Sequence, residues 1–142
     1  MTRIAELSLV DANVLVYAAT PAAPQYLASR AVLEVATSLC VSPQVFAEFY
    51  SVVTNSRRVT APFSPAEARA FIDAILPRFE VAPMLGAVVT RWAELAETHR
   101  VRVADIFDLQ LVATMLENGV RRIYTYNRSD FQLFNELEIV TP

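Results

Sequence analysis

The chain has 142 residues, a hydrophobic content of 54% and a formal net charge of -3 at pH 7. This length supplies one compact core and is too short for two ordinary domains, so we expect a single domain over residues 1–142. The negative charge excludes a general attraction to nucleic acid, and without a signal peptide or an apolar run of roughly 18 residues we expect a cytoplasmic protein.

Short apolar segments alternate with helical patterns along the chain. The predicted order is a strand from Leu7 to Val10, an apolar segment from Val14 to Ala19, a helix from about Gln25 to Ser38, a strand at Cys40 and Val41, a helix from Pro43 to about Asn55, a helix from Pro65 to about Leu76, a strand from Phe79 to Val81, helices from Leu85 to Thr98 and from Ala104 to Asn118, and strands from Arg122 to Tyr126 and from Leu137 to Val140. Ser42 is a predicted helix cap, Ser64 and Glu67 form a predicted capping box, and Gly119 closes the last helix. Strands separated by helices predict an α/β fold with a mainly parallel central sheet flanked by helices.

Four acidic residues occupy positions where the pattern predicts burial or a strand end, namely Asp11, Glu48, Asp108 and Asp130. An ionised carboxylate away from water is costly unless a cation pairs with it, and a divalent metal would supply that cation. Asp11 ends the first strand, and Asp130 follows the strand that ends at Tyr126. Because open α/β sheets bind ligands at the carboxyl ends of their strands, both acids are expected to reach one crevice.

The other two acids are placed on predicted helices. Glu48 shares a helical face with Val45 and Val52, which directs it inward, although a surface position at the edge of that face is an equal alternative. Asp108 lies in the second turn of a helix that is apolar on nearly every side and is therefore expected to be buried. Asp105, one turn earlier, is assigned to the positive end of the helix dipole rather than to a metal.

Four segments together resemble the PIN domain family, and within it the VapC-type toxins of bacterial toxin-antitoxin pairs. They are Asp11-Ala12-Asn13-Val14-Leu15, the helical Glu48, Ile106-Phe107-Asp108-Leu109-Gln110-Leu111-Val112-Ala113, and Thr125-Tyr126-Asn127-Arg128-Ser129-Asp130-Phe131. Each segment alone is a weak signal, whereas the four in this order are specific. The likeness covers essentially the whole chain.

The resemblance implies a ribonuclease that depends on Mg²⁺, with Mn²⁺ as a substitute. It assigns both catalysis and metal binding to the acidic quartet, Asp11, Glu48, Asp108 and Asp130. It assigns support of the cofactor site to the polar residues Asn13, Thr125 and Asn127. Asp105 competes with Asp108 for the third acid, and the family register of Ala113, Thr114 and Gly119 favours Asp108. One metal or two, and Glu48 as a ligand or as the base that orients water, remain open alternatives.

The resemblance also implies partners. An RNA is the substrate, with transfer, messenger and ribosomal RNA all open, and a cognate antitoxin would cover the active-site groove. Phe46, Phe49, Tyr50 and Val53 are candidates to line that groove, with core packing as the alternative. The high apolar content suggests more hydrophobic surface than one small core hides, so a homodimer is expected.

Other classes fit less well. A haloacid-dehalogenase-like phosphatase would need a second Asp where Asn13 stands and a lysine, and a receiver domain would need the same lysine, which this chain lacks. No glycine-rich GK[ST] loop is present for a P-loop. The remaining alternative is a PIN-like scaffold that binds RNA or protein without nuclease activity.

Overall fold

The computed structural model describes residues 7–99, 102 and 105–142. Its strands are β1 (Ser8–Val10), β2 (Leu39–Val41), β3 (Phe79–Val81), β4 (Arg122–Tyr124) and β5 (Glu138–Val140). Its helices are α1 (Ala12–Ala18), α2 (Tyr26–Val35), α3 (Pro43–Val53), α4 (Pro65–Ile75), α5 (Gly86–His99) and α6 (Ile106–Glu117). Short 3-10 turns occupy Leu76–Arg78, before β3, and Arg128–Asp130, after β4.

The five strands form one sheet in the order β3-β2-β1-β4-β5, and every adjacent pair is parallel. The predicted α/β fold with a mainly parallel sheet is confirmed. The chain builds β1, β2 and β3 toward one edge and then returns to place β4 on the other side of β1. This reversal makes the carboxyl ends of β1 and β4 a topological switch point, which is where sheets of this kind bind ligands.

The helix starts follow the predicted capping signals. Ser42 accepts a hydrogen bond from the backbone N–H of Val45 at 3.3 Å, at the start of α3. At the start of α4, Ser64 Oγ accepts from the Glu67 N–H and Glu67 Oε1 accepts from the Ser64 N–H, both at 3.1 Å. These bonds satisfy backbone N–H groups that have no partner within the helix. Both α2 and α3 end less than one turn before their predicted ends.

Two boundaries near the sheet edge differ from the predictions. β4 ends at Tyr124 instead of Tyr126, because the backbone N–H of Tyr126 bonds to the side chain of Asn13 and not to a neighbouring strand. The predicted start of the last helix at Ala104 lies outside the described residues, and α6 begins at Ile106. Both differences move polar groups toward the switch point.

The core lies around the three central strands. Leu9, Val41 and Ile123, from β1, β2 and β4, are fully buried, and Phe49 of α3 stacks on Phe71 of α4 with ring centroids 5.1 Å apart. Each fully buried side chain of this size stabilises the fold by about 1.5–3 kcal/mol. The packing therefore holds the carboxyl ends of β1 and β4 in fixed positions. Within the described ranges, no helix has the length and apolar character needed to cross a membrane.

Two predictions about apolar residues are corrected by their burial. Phe107 is 65% exposed, so the first turn of α6 is open on one side although the middle of the helix is buried. Phe49 and Val53 belong to the core, which contradicts their assignment to a partner-binding groove. Phe46 packs partly buried against the core, and only Tyr50 of that group is exposed, at 39%.

Candidate metal-binding acidic site

Asp11 lies at the carboxyl end of the central strand β1 and caps the N-terminus of α1. The residue is only 7% exposed. Its Oδ1 accepts a hydrogen bond from the Ala12 N–H (2.8 Å), and its Oδ2 accepts from Thr125 Oγ1 (2.8 Å) and Asn13 Nδ2 (3.2 Å). Burial raises the pKa of Asp11, and these bonds lower it. Since a carboxylate has about four lone-pair positions, Asp11 is oriented by three bonds and has one position left for a further ligand.

Asn13 and Thr125 join the ends of β1 and β4. Asn13 Nδ2 donates to Thr125 Oγ1 at 3.2 Å, and Asn13 Oδ1 accepts from the backbone N–H of Tyr126 at 3.1 Å. Thr125 Oγ1 also accepts from the backbone N–H of Asn127 at 3.0 Å. Asn13 and Thr125 thus hold the Asp11 carboxylate from both strands. Asn127 contributes its backbone N–H, while the residue itself is exposed.

Glu48 lies half-buried on α3, which is the inward position and not the fully exposed alternative. Its Oε1 accepts a hydrogen bond from Gln44 Nε2 at 2.7 Å. Burial raises the pKa of Glu48 most, the Gln44 bond lowers it, and the charge of Asp11 raises it further. The charge of Asp11 therefore acts on Glu48, although the two carboxylates come from different elements of the fold.

Asp108 carries the largest resolved pKa shift among the carboxyl groups of the described residues. Its pKa is raised to about 7, chiefly by burial and then by the negative charges of Asp130, Asp11, Glu48 and Asp105. Because α6 begins at Ile106, Asp108 lies in the first turn of the helix and not in the second turn as predicted. The site therefore concentrates negative charge where a carboxylate is hard to ionise.

A cavity of about 250 Å³ opens beside Asp108 and Asp130. Asp130 ends the 3-10 turn after β4 and is half-buried. The cavity is lined by Arg102, Asp105, Asp108, Leu109, Ser129, Asp130, Leu133 and Phe134. Asp11 and Glu48 are outside this lining, so two of the four acids border the cavity. Asp108 is the member whose pKa is raised by all three of the others.

Asp105 is also in the cavity wall, in the position before the first residue of α6. Its side chain makes no capping bond to the helix and instead forms a salt bridge with Arg102, with 2.9 Å between Nε and Oδ2. The position of Asp105 at the N-terminus of α6 agrees with the predicted role at the helix dipole, and its side chain also pairs with Arg102 at the mouth of the cavity. Arg102 is 81% exposed in its side chain, which leaves the guanidinium accessible to an anion.

The chemistry of the donors fits a hard divalent cation, whereas their spacing is wider than a closed binding site. All four members of the quartet offer carboxylate oxygens, which Mg²⁺ prefers, and Asp11 retains a lone pair. Within residues 7–99, 102 and 105–142, however, no three His, Cys, Asp or Glu side chains converge closely enough to enclose a metal ion. The charges of the four acids are nevertheless coupled, since those of Asp130, Asp11 and Glu48 each raise the pKa of Asp108 after burial.

Two glutamines beside the acids were missed by the sequence reasoning. Gln44 Nε2 donates to Glu48 Oε1 and also, at 2.6 Å, to the backbone carbonyl of Phe107. Gln110 Nε2 donates to Gln44 Oε1 at 2.7 Å. The spacing of four residues between Gln44 and Glu48 on a predicted helix was a usable signal for the first bond. No local sequence pattern predicts the hydrogen bond between Gln110 of α6 and Gln44 of α3.

Comparison with known proteins agrees with this architecture. The family model described as PIN domain matches residues 8–137. The chain is 29% identical over 141 residues to Ribonuclease VapC24 of Mycobacterium tuberculosis, with 94% of each chain covered. Its fold is similar to that of Mycobacterium tuberculosis VapC20, described as a sarcin-ricin loop cleaving toxin (TM-score 0.73, 15% identity, 96% of this chain and 100% of the other). It is also similar to a chain of a toxin-antitoxin complex from Klebsiella pneumoniae (TM-score 0.64, 17% identity, 95% and 97% covered). Because the family model matches residues 8–137, which include β1 to β4 and all four acids of the quartet, the chain belongs to the PIN domain family.

Proposed function

We propose that the protein is an endoribonuclease that depends on Mg²⁺ and acts as the toxin of a toxin-antitoxin pair. The observation that carries the proposal is the group of four acids at the switch point of the sheet, where burial first and then the charges of Asp130, Asp11 and Glu48 raise the pKa of Asp108 to about 7. A cation would relieve that repulsion. The relative named Ribonuclease VapC24 supports RNA as the substrate, since it matches over 94% of this chain.

Asp11, Asp108 and Asp130 would hold Mg²⁺, with Mn²⁺ as a substitute, and Glu48 would serve either as a further ligand or as the base that orients water. When bound, the ion lowers the pKa of a water and offsets the charge that develops on the phosphate. Asn13 and Thr125 keep Asp11 oriented, so that its free lone pair faces a constant direction.

Hydrolysis by water requires a base and a place for the phosphate. Glu48 is half-buried with a raised pKa, which suits it to take a proton from the attacking water. The oxygen of that water then forms a bond to phosphorus as the bond to the departing ribose oxygen breaks. The departing oxygen takes up a proton from solvent, and no covalent intermediate with the enzyme is formed. Arg102 at the cavity mouth offers a charge-assisted contact to a phosphate, which compensates locally for the negative net charge of the chain.

Cleavage of RNA with and without a divalent cation tests this function directly. We expect the purified protein to cut RNA with Mg²⁺ or Mn²⁺ and to lose at least about 100-fold of its rate in a chelator, because the carboxylates repel the phosphate when no cation lies between them. The measurement is the initial rate on labelled RNA. Equal cleavage in chelator would overturn the metal mechanism, and RNA binding without any cleavage would favour the scaffold.

A homodimer and a bound antitoxin complete the proposal. Exposed apolar side chains cluster in sequence at β3 and the start of α5, at Val81, Met84, Leu85 and Val89. Burying such side chains between two copies removes them from water, so light scattering of the isolated protein is expected to give twice the chain mass. A double substitution of Leu85 and Val89 to Ser is expected to shift the mass toward the monomer. A monomeric mass for the unchanged protein would contradict the dimer and leave the nuclease proposal intact.

A further inference from the structure

Gln44 and Gln110 form a hydrogen-bond relay that ends on Glu48. Gln110 of α6 donates to Gln44 Oε1 (2.7 Å), and Gln44 of α3 donates through Nε2 to Glu48 Oε1 (2.7 Å) and to the Phe107 carbonyl (2.6 Å). Gln44 and Gln110 are 66 residues apart in the chain and only half-buried. Half-buried amides of this kind could bond to water instead. The three short hydrogen bonds therefore indicate that the Gln44 side chain is held in one position.

The relay fixes which way the Gln44 amide points. Both acceptors of Gln44, the Glu48 carboxylate and the Phe107 carbonyl, need N–H donors, and the amide has two of them on one nitrogen. If the amide were reversed, its oxygen would meet two other oxygens. The N–H donated by Gln110 to the Gln44 oxygen stabilises the observed orientation, because a reversed amide would present a donor to that donor.

The bond to Glu48 therefore depends in part on Gln110, a residue that does not touch Glu48. It occupies Oε1 of the carboxylate and leaves Oε2 available for a cation or a water. It also ties Glu48 to α6, the helix that carries Asp108, so the carboxylates of α3 and α6 keep a constant separation. Residues that orient a metal ligand or base in this way typically change metal affinity or activity by about 10–100-fold when removed.

We propose that Gln44, held in one amide orientation by Gln110, is the positioning residue that directs Glu48 at the acidic site. The catalytic consequence rests on the nuclease function proposed above. The geometric claim, that Gln110 determines the Gln44–Glu48 bond, does not.

Two Gln→Met substitutions, alone and together, test the relay because methionine keeps the length of the side chain and removes the amide. Binding of Mn²⁺ is measured by electron paramagnetic resonance, RNA cleavage is measured as separate kcat and KM values, and the side-chain amide signals of Gln44 are followed by nuclear magnetic resonance. Gln132→Met is the matched control, since Gln132 is exposed and outside the cavity lining.

We expect Gln44→Met to weaken Mn²⁺ binding and to lower kcat by about 10-fold each, with KM changed by less than about twofold. Gln110→Met is also expected to weaken Mn²⁺ binding and to lower kcat, and it is expected to move the Gln44 amide signals. The double variant is expected to match Gln44→Met, because Gln110 acts through Gln44. Gln44→Glu keeps the acceptor for Gln110 and turns a carboxylate toward Glu48, so a loss at least as large is expected.

Additive effects of the two substitutions, or variants that stay within about twofold of the unchanged protein, would overturn the proposal. A lower melting temperature with unchanged Mn²⁺ affinity and kcat would assign the glutamines to a merely structural tether and would also overturn it. If the unchanged protein cuts no RNA, the nuclease proposal fails, and the Mn²⁺ affinities and the Gln44 amide signals still decide the relay. Unmoved Gln44 signals in Gln110→Met would reject the geometric claim by themselves.

Discussion

Replacing Asp11 with Asn is expected to lower the rate of RNA cleavage by on the order of 10²–10³-fold, the range typical of losing one electrostatic contact in a reacting centre. The substitution removes the negative charge from the most buried acid of the quartet. It keeps the shape of the side chain and an oxygen that accepts from the Ala12 N–H, and Asn is itself a favourable helix cap. The loss is therefore expected in kcat and metal affinity. Because an amide nitrogen in place of Oδ2 cannot accept from Thr125 and Asn13, a lower melting temperature is also expected, and the rates are compared at a temperature where both proteins are folded.

Asp73→Asn is the matched control for this substitution. Asp73 lies exposed on α4, where its only ion pair in the described chain is a 3.5 Å contact with Arg69 one turn earlier. Such surface pairs contribute about 0–1 kcal/mol, so the control is expected to leave cleavage and stability unchanged. If Asp11→Asn and Asp73→Asn cleaved RNA equally well, Asp11 would have no place in the reaction.

Asp108→Asn is expected to abolish cleavage and, in the absence of divalent cations, to stabilise the protein at alkaline pH. The pKa of Asp108 is about 7 in the folded chain, against 3.8 as the ordinary value. The folded state therefore binds more protons than the unfolded state between these values, so the free energy of unfolding falls as the pH rises through this window. Each pKa unit corresponds to about 1.4 kcal/mol. Discounted for partial exposure, the loss between about pH 5 and about pH 8 is on the order of 2 kcal/mol.

Urea denaturation at the two pH values, in chelator and in Mg²⁺, measures this effect. The unchanged protein is expected to be less stable at about pH 8 than at about pH 5 in chelator, and to regain stability in Mg²⁺, because a cation that binds only the folded state shifts the equilibrium toward it. The Asp108→Asn variant is expected to lose less stability at about pH 8 in chelator and to regain less in Mg²⁺. If the free energy of unfolding depended on pH equally in the two proteins, the raised pKa of Asp108 would not be the cause of that dependence.

The local signals in the sequence were sufficient for most elements of the fold. The apolar segment from Val14 to Ala19 was not assigned to a helix, although most of it lies in α1. The serine caps at Ser42 and Ser64 and the alternation of strands with helices predicted the α/β class and the parallel sheet, which the structure confirms. The boundaries differ where a side chain from elsewhere competes for a backbone group. Asn13 takes the N–H of Tyr126 and so ends β4 early, an effect that no local pattern contains.

The candidate site was predicted from strand ends and helix faces, which depend on position within an element. These cues brought the acidic quartet to one region, and the charge coupling of Asp108 agrees with that placement. Contacts between elements could not be predicted from the sequence. The exposure of Phe107 and the bond from Gln110 to α3 depend on how the helices pack.

The bonds that orient Asp11 have a consequence for the order of events in biosynthesis. Thr125 is 114 residues away from Asp11 in the chain, and its hydroxyl is in place only after β4 has inserted beside β1. Contacts of such long sequence separation form late, because a large loop must close first. A chain still being synthesised therefore cannot complete this hydrogen-bonded support of Asp11 until β4 and the residue after it have emerged from the ribosome.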